Sequence, residues 1–170
     1  RGLAVALAEC LFADGVSQHI KLQIPHLVAI GSRDPITTAQ QMAICGVDSF
    51  VCVEAPEGRV AEQLPTTTQL LLHCTGPLQI PSDIVAKRFA EGVVRAATAL
   101  KPATMLCSGG DTASAVLKAL GQSCLQVVGE AAPGLPMSRV ILAGRQMIFI
   151  SKSGGFGEPS TLLDVFANQQ

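Results

Sequence analysis

Short apolar runs stop abruptly at glycine, serine or proline and then mostly give way to helical periodicity. No other feature limits so narrowly how this chain can fold. His26-Leu-Val-Ala-Ile30 reads as a buried strand broken by Gly31-Ser32-Arg33-Asp34-Pro35. Asp34 is placed to cap a helix over Ile36–Cys45, with Pro35 at its first position and Gly46 closing it. Phe50–Glu54 and Leu70–Cys74 read as further strands, the second ended by Gly76-Pro77. Ser82 is the expected cap of a long helix from Asp83 to Leu100, with Ile84, Val85, Phe89, Val93 and Ala97 lining one side. Another apolar run, Ala103–Cys107, ends in Ser108-Gly109-Gly110-Asp111-Thr112, and an amphipathic helix begins at once. Leu125–Val128 reads as a strand leading into a stiff loop over Gly129–Pro136. Val140–Leu142 and Met147–Ile150 read as strands paired across Ala143-Gly144-Arg145, and Pro159–Ala167 as a short helix. Residues 2–17, within a leading segment 1–20, read as helical. Alternation of this kind predicts one α/β domain over 1–170: a largely parallel sheet with helices on both faces and an antiparallel edge hairpin.

Composition supports a layered fold and removes several functions. Hydrophobic residues make up 48% of the chain and charged ones 15%, with a net charge of −1. Lys and Arg are scattered, which argues against nucleic acid as a partner, since phosphate-backbone binding needs a basic face. No apolar run approaches a membrane span, and the start lacks a signal-peptide cleavage pattern. The six cysteines (Cys10, Cys45, Cys52, Cys74, Cys107, Cys124) lie singly in mostly apolar runs, without a C-x-x-C pair. They read as small buried hydrophobes in a reducing cytoplasm, with neither disulfide nor metal roles expected. His19, His26 and His73 form no ligand set with them.

Three glycine-bearing breaks share one grammar, each following an apolar strand. They are Gly31-Ser32, Ser108-Gly109-Gly110-Asp111-Thr112 and Lys152-Ser153-Gly154-Gly155-Phe156-Gly157. Glycines let the backbone turn tightly and approach a ligand, and a helix start directs N–H groups and a positive dipole end at the same spot. In α/β sheets, loops after the carboxyl ends of strands gather at the edge where ligands bind. The set therefore points to a phosphate-bearing ligand. Asp111 is a candidate for holding Mg²⁺ or taking a proton from an attacking hydroxyl, and equally an ordinary helix cap. Lys152 reads as a mobile cation suited to phosphate charge. Thr37, Thr38, Gln40 and Gln41 are expected on a helix face, with Thr37 or Gln40 turned toward the Ser32 loop as the lesser reading, and Arg33 is expected to pair with Asp34 in solvent, with a substrate role as its lesser reading. Glu130, with Pro133 and Pro136, either borders a nucleotide base or serves as a rigid connector.

In order and spacing, Gly31-Ser-Arg-Asp-Pro-Ile-Thr-Thr-Ala-Gln40, Ser108-Gly-Gly-Asp-Thr112, Gly129-Glu-Ala-Ala-Pro-Gly-Leu-Pro136 and Lys152-Ser-Gly-Gly-Phe-Gly157 resemble the C-terminal nucleotide-binding domain of four-carbon acid sugar kinases. Members of that family phosphorylate erythronate, threonate or 3-oxo-tetronate type acids with ATP. The resemblance implies ATP contacts at Ser32, Gly109, Gly110, Asp111, Thr112, Lys152, Gly154 and Gly155, with Asp111 as the catalytic and Mg²⁺-holding candidate. It also implies an N-terminal sugar-acid domain whose Asp-Asp-x-Thr-Gly type loop has no counterpart here, so this segment alone is expected to bind nucleotide without phosphorylating a sugar. A cytoplasmic setting, a role in carbohydrate metabolism and an open question of homo-oligomerisation go with it. Gly155 departs from the Asn usual in the family's Lys-Ser-Gly-Asn-Phe-Gly motif. Lipid and NAD kinases resemble Gly-Gly-Asp-Gly-Thr, with a glycine this chain lacks between Asp111 and Thr112. The alternative from another class is a non-catalytic α/β module that binds a nucleotide or sugar phosphate.

Overall fold

The computed structural model describes residues 20–77 and 79–167, so the helix expected over 2–17 lies outside the described residues. Seven strands, β1 (His26–Ile30), β2 (Val51–Pro56), β3 (Gln69–Thr75), β4 (Thr104–Ser108), β5 (Gln126–Ala132), β6 (Leu135–Leu142) and β7 (Arg145–Lys152), form one sheet. Its order is β2-β3-β1-β4-β7-β6-β5. The first five in that order pair in parallel, and β6 and β5 add antiparallel at the edge. Every residue of β1 and β4 is buried, as unbroken apolar runs require of strands covered on both faces. The α/β architecture expected from the sequence is therefore the observed one.

Helices α1 (Pro35–Cys45), α2 (Ser82–Leu100), α3 (Gly110–Ala119) and α4 (Thr161–Ala167) complete the fold. On one face Phe89, Val93 and Ala97 of α2 and Val116 of α3 pack with Leu27, Leu72, Met105 and Phe149. On the other, Ile44 of α1 and Leu162 and Val165 of α4 pack with Val28, Leu71, Leu106 and Ile150. Strand alternation sends neighbouring side chains to opposite faces, so each central strand feeds both cores.

Four local expectations are corrected. Pro81, not Ser82, flanks the start of α2: its carbonyl accepts from the N–H of Ile84 and Val85 at 3.1 and 3.2 Å, and among the described residues no side chain caps the helix. Ile84 is 41% exposed, while Ala90, Gly92 and Ala96 join the buried side, and a Cβ on Gly92 would strike Val60 of the segment after β2. Residues 129–136 are not a loop but the end of β5, a tight turn and the start of β6. Finally, Cys45 and Cys52 form a disulfide joining the end of α1 to the start of β2, with Cα atoms 5.9 Å apart. Their spacing of seven residues hid this, since only the α1–β2 connection brings them together. Cys74, Cys107 and Cys124 are free.

Candidate functional site

The crossovers decide where a crevice can form. β1 leads into α1 on one face of the sheet, whereas its neighbour β4 leads into α3 on the other. Where adjacent parallel strands send their connections to opposite faces, the following loops diverge and leave a cleft beyond the strand ends. β7, on the far side of β4, returns to the α1 face through α4. The loops after β1, β4 and β7 thus border one crevice, and backbone bonds join their bases. Gly31 N–H donates to Ser108 O at 3.2 Å, and Gly109 N–H to Lys152 O at 2.9 Å. All three glycine-bearing segments picked out in the sequence come together here.

Within this crevice the glycines are required by space as much as by conformation. A Cβ on Gly31 would overlap the Thr112 hydroxyl, so the β1 loop and the first turn of α3 are in direct contact. Gly109 has φ 107° and is the residue flanking the start of α3, a conformation that side-chain-bearing residues strongly resist. A Cβ at Gly110 would meet nothing within 4 Å, so this side of the turn is open. The helix start is therefore presented outward, with the partial positive charge and unpaired N–H groups of a first turn. Thr112 is buried beneath it. Asp111 is exposed in that turn and does not cap the helix. The cap reading is corrected.

Asp34 caps α1 as expected, its Oδ1 accepting from Ile36 N–H at 2.9 Å, and Ser32 Oγ accepts from Asp34 N–H at 3.3 Å. Ser32 also faces the third loop: a Cβ on Gly154 would lie 2.7 Å from Ser32 Oγ. A Cβ on Gly155 would lie 2.8 Å from Asp34 Oδ2. The position that departs from the usual family Asn is thus one where the Asp34 carboxylate already fills the adjoining space.

Lys152 is not the mobile cation expected from the sequence. It is 1% exposed, and its Nζ donates to Ser153 O at 2.9 Å and Gly154 O at 2.7 Å. Burial lowers its pKa below the ordinary lysine value, and the negative charge of Asp34 opposes that shift. Two residues that the sequence reading left on a helix face act in the same way. Thr37 Oγ1 donates to Gly154 O, and Gln40 Nε2 donates to Phe156 O at 3.0 Å and Glu158 O at 2.8 Å. Both side chains are fully buried on the α1 stripe that continues to Ile44. The carbonyls of Ser153, Gly154, Phe156 and Glu158 are therefore turned toward the protein body, and among the described residues no hydrogen bond uses the N–H of Gly154 or Gly155. A backbone held by its oxygens offers its amide edge to the crevice, as anion-binding nests do. The signal for Thr37 and Gln40 was present: residues 37, 40 and 44 share one helical stripe, and two of them are polar.

Arg33 does not pair with Asp34. Its guanidinium bonds Gly76 O at 2.7 Å and Thr75 O at 3.3 Å, joining the β1 loop to the end of β3. Glu130 is exposed on β5, the far edge strand. Its hairpin nonetheless reaches the third loop, for a Cβ on Gly134 would strike the Phe156 ring. Ser108 Oγ is a buried hydroxyl without a partner among the described residues at the end of β4, next to Lys152 in strand register. Among the described residues no group of three or more His, Cys, Asp or Glu could hold a metal ion, and no helix is long and apolar enough to cross a membrane.

Fold and crevice together define an α/β domain that presents helix starts and loop amides at a topological switch point, the architecture of a nucleotide- or phosphate-binding domain. Residues 57–162 match the family described as a nucleotide-binding C-terminal domain. The chain belongs to that family, the C-terminal domain of four-carbon acid sugar kinases. It is 33% identical over 128 residues to the D-threonate kinase of Bordetella bronchiseptica, covering 74% of this chain and 27% of the kinase. A Bordetella bronchiseptica structure with bound citrate, a domain-swapped dimer, matches with a TM-score of 0.70 at 27% identity, covering 99% of this chain and 43% of its own. A Haemophilus influenzae structure has the same fold at TM-score 0.71 and 17% identity, covering 99% of this chain and 47% of its own. This chain thus spans between about a quarter and a half of these relatives.

Proposed function

We propose that this domain binds Mg²⁺–ATP in the crevice between the loops after β1, β4 and β7, and serves phosphoryl transfer to a four-carbon sugar acid held by a second, N-terminal domain. The observation that carries the reading is the convergence of three separate segments, at Ser32, Gly109–Thr112 and Lys152–Gly155, beyond one edge of the sheet, their bases joined by Gly31 N–H to Ser108 O and Gly109 N–H to Lys152 O. Phosphoryl transfer is mostly positioning and charge neutralisation, and this frame supplies both. The first turn of α3 and the amides of Gly154 and Gly155 would take phosphate oxygens, with the Ser32 hydroxyl between them. Lys152 contributes its charge from beneath the loop, and its main work is to hold the loop's carbonyls inward.

The residues fit a magnesium ion of the usual kind. Mg²⁺ is commonly held by one or two carboxylates plus substrate phosphates and keeps several waters. Asp111, exposed on the open side of Gly110, is a single carboxylate of that sort. The same position suits it to accept the proton of a hydroxyl presented by the other domain, whose sugar acid would be the erythronate, threonate or 3-oxo-tetronate type. Calorimetric titration with ATP, with and without Mg²⁺, tests the binding. In the two-domain kinase, Asp111→Asn should cut kcat by at least about a hundredfold while changing ATP affinity little. Unchanged turnover removes Asp111 from the chemistry, and absence of ATP binding removes the function.

A further inference from the structure

One helix connects the Cys45–Cys52 bridge to the crevice. α1 starts at the crevice, where Asp34 caps it, and its 11 residues carry the chain about 16 Å to Cys45. Along the way Thr37 donates to Gly154 O, and Gln40 donates to Phe156 O and Glu158 O. Where α1 sits therefore sets where the third loop sits. Yet α1 has little apolar anchoring of its own. Of its buried side chains Thr37, Gln40 and Ile44, only Ile44 is apolar, whereas α2 buries Phe89, Val93 and three alanines. The bridge supplies a second hold, fastening the last residue of α1 to β2, the edge strand of the sheet.

This hold can be released. Cys45 and Cys52 are both half-buried, and the turn between them exposes Gly46, Asp48 and Ser49. Bridges that solvent can reach are the ones that exchange with thiols. Two of the free cysteines differ: burial raises the thiols of Cys74, to about 11, and Cys107, so both stay protonated and inert. The bridge closes a loop with a sequence separation of 7, so opening it releases less chain entropy than a long-range bridge would. The central strands β1 and β4 are not among the elements it joins. We propose that the Cys45–Cys52 pair is a redox site whose substrate is a dithiol reductant, and that opening it loosens α1, the third loop and the loop's hold on nucleotide. A thiolate of the dithiol attacks one bridge sulfur, the Cys45–Cys52 bond breaks as a mixed disulfide forms, and the second thiol displaces the protein sulfur. Two electrons and two protons pass to the protein, which gains two thiols while the reagent closes its own disulfide. The consequence for ATP rests on the nucleotide reading; the consequence for the loop does not.

The test compares the oxidised chain with the same chain in dithiothreitol. Alkylation and mass mapping should show thiols at 45 and 52 only after reduction. Amide exchange at residues 153–158 should then quicken by about fivefold or more while β1 and β4 keep their protection. The Kd for Mg²⁺–ATP should rise by about five- to tenfold, and reoxidation should restore both. Cys45→Ser/Cys52→Ser should match the reduced chain and ignore dithiothreitol. Thiols already free at 45 and 52 before reduction overturn the proposal. So does equal exchange at 153–158 in the two states, or equal affinity in a chain that binds ATP. A response to dithiothreitol that persists in the double variant also overturns it. If that variant does not fold, the reversible change in the unaltered chain decides. Loss of protection throughout β1 and β4 on reduction counts against the proposal too, because the bridge is then a general brace of the fold. If neither state binds ATP, the nucleotide reading falls, and exchange at 153–158 still decides whether the redox site governs the loop.

Discussion

Replacing Gln40 probes directly how the third loop is held. The side chain is fully buried, its Nε2 bonds the carbonyls of Phe156 and Glu158 at 3.0 and 2.8 Å, and its Oε1 has no partner among the described residues. A hydrogen bond of this type contributes about 1 kcal/mol net, so Gln40→Ala removes about 2 kcal/mol before any cavity term. Phe156 and Glu158 are exposed, so water can reach the released carbonyls, and the loss should not exceed about 3 kcal/mol. Gln40→Glu keeps the shape but puts a carboxylate opposite two acceptors. An ionised carboxylate cannot donate, and its burial is opposed by desolvation. At pH 8 this variant should be less stable than Gln40→Ala. Its folded-state pKa is raised above the ordinary glutamate value of about 4.3. The penalty is therefore present above the folded pKa and is relieved as pH falls toward the unfolded one. Urea unfolding of the wild type and both variants at pH 8 and pH 5 measures this, each variant referred to the wild type at the same pH. Amide exchange at residues 153–158 should quicken in both variants. If Gln40→Ala costs less than about 0.5 kcal/mol, or Gln40→Glu matches the wild type at pH 8, the carbonyls are not held by this amide and the argument fails.

Gly31→Ala drives a methyl group into the Thr112 hydroxyl and should cost about 1–3 kcal/mol. The Gly31→Ala/Thr112→Ala double variant should recover much of it, and strict additivity in thermal unfolding would refute the contact. His26 is buried against Phe50 and Phe166, and burial lowers its pKa from 6.5, outweighing the opposing Gln69 hydrogen bond. His73 shifts the same way, chiefly through burial. Because the unfolded chain takes up these protons more readily, stability should rise with pH up to about 6.5 and be lost below it. Replacing both histidines with Gln should flatten that slope in unfolding curves taken across the range. Reducing the Cys45–Cys52 bridge, which closes a loop with a sequence separation of 7, should lower stability by about 2–3 kcal/mol. A reductant-independent melting temperature would show that the two thiols are not joined in solution.

Periodicity and glycine placement carry much of this fold, since a fully apolar five-residue run such as β1 or β4 has few places to go except the middle of a covered parallel sheet. The same logic brought the three glycine-bearing loops to one edge, because each follows a parallel strand and must emerge at its carboxyl end. What escaped the sequence was decided by the third dimension. Lys152 looks like a surface cation until the register of β7 against β4 puts its side chain on the same side as Ser108, where its Nζ donates to the loop carbonyls of Ser153 and Gly154. Gln40 and Thr37 look like solvent-facing polar residues until α4 and the loop before it fold back over α1. Residues 129–136 read as a loop because Gly129, Pro133, Gly134 and Pro136 punctuate it, yet antiparallel pairing accommodates Gly129 and Pro136 on either side of a tight turn. Buried polar side chains fixing loop carbonyls are therefore as much part of this site as the exposed amides. A substitution beneath the crevice at Lys152 or Gln40 should disturb it as surely as one on its surface, because the outward-facing N–H groups keep their direction only while the oxygens behind them stay bonded.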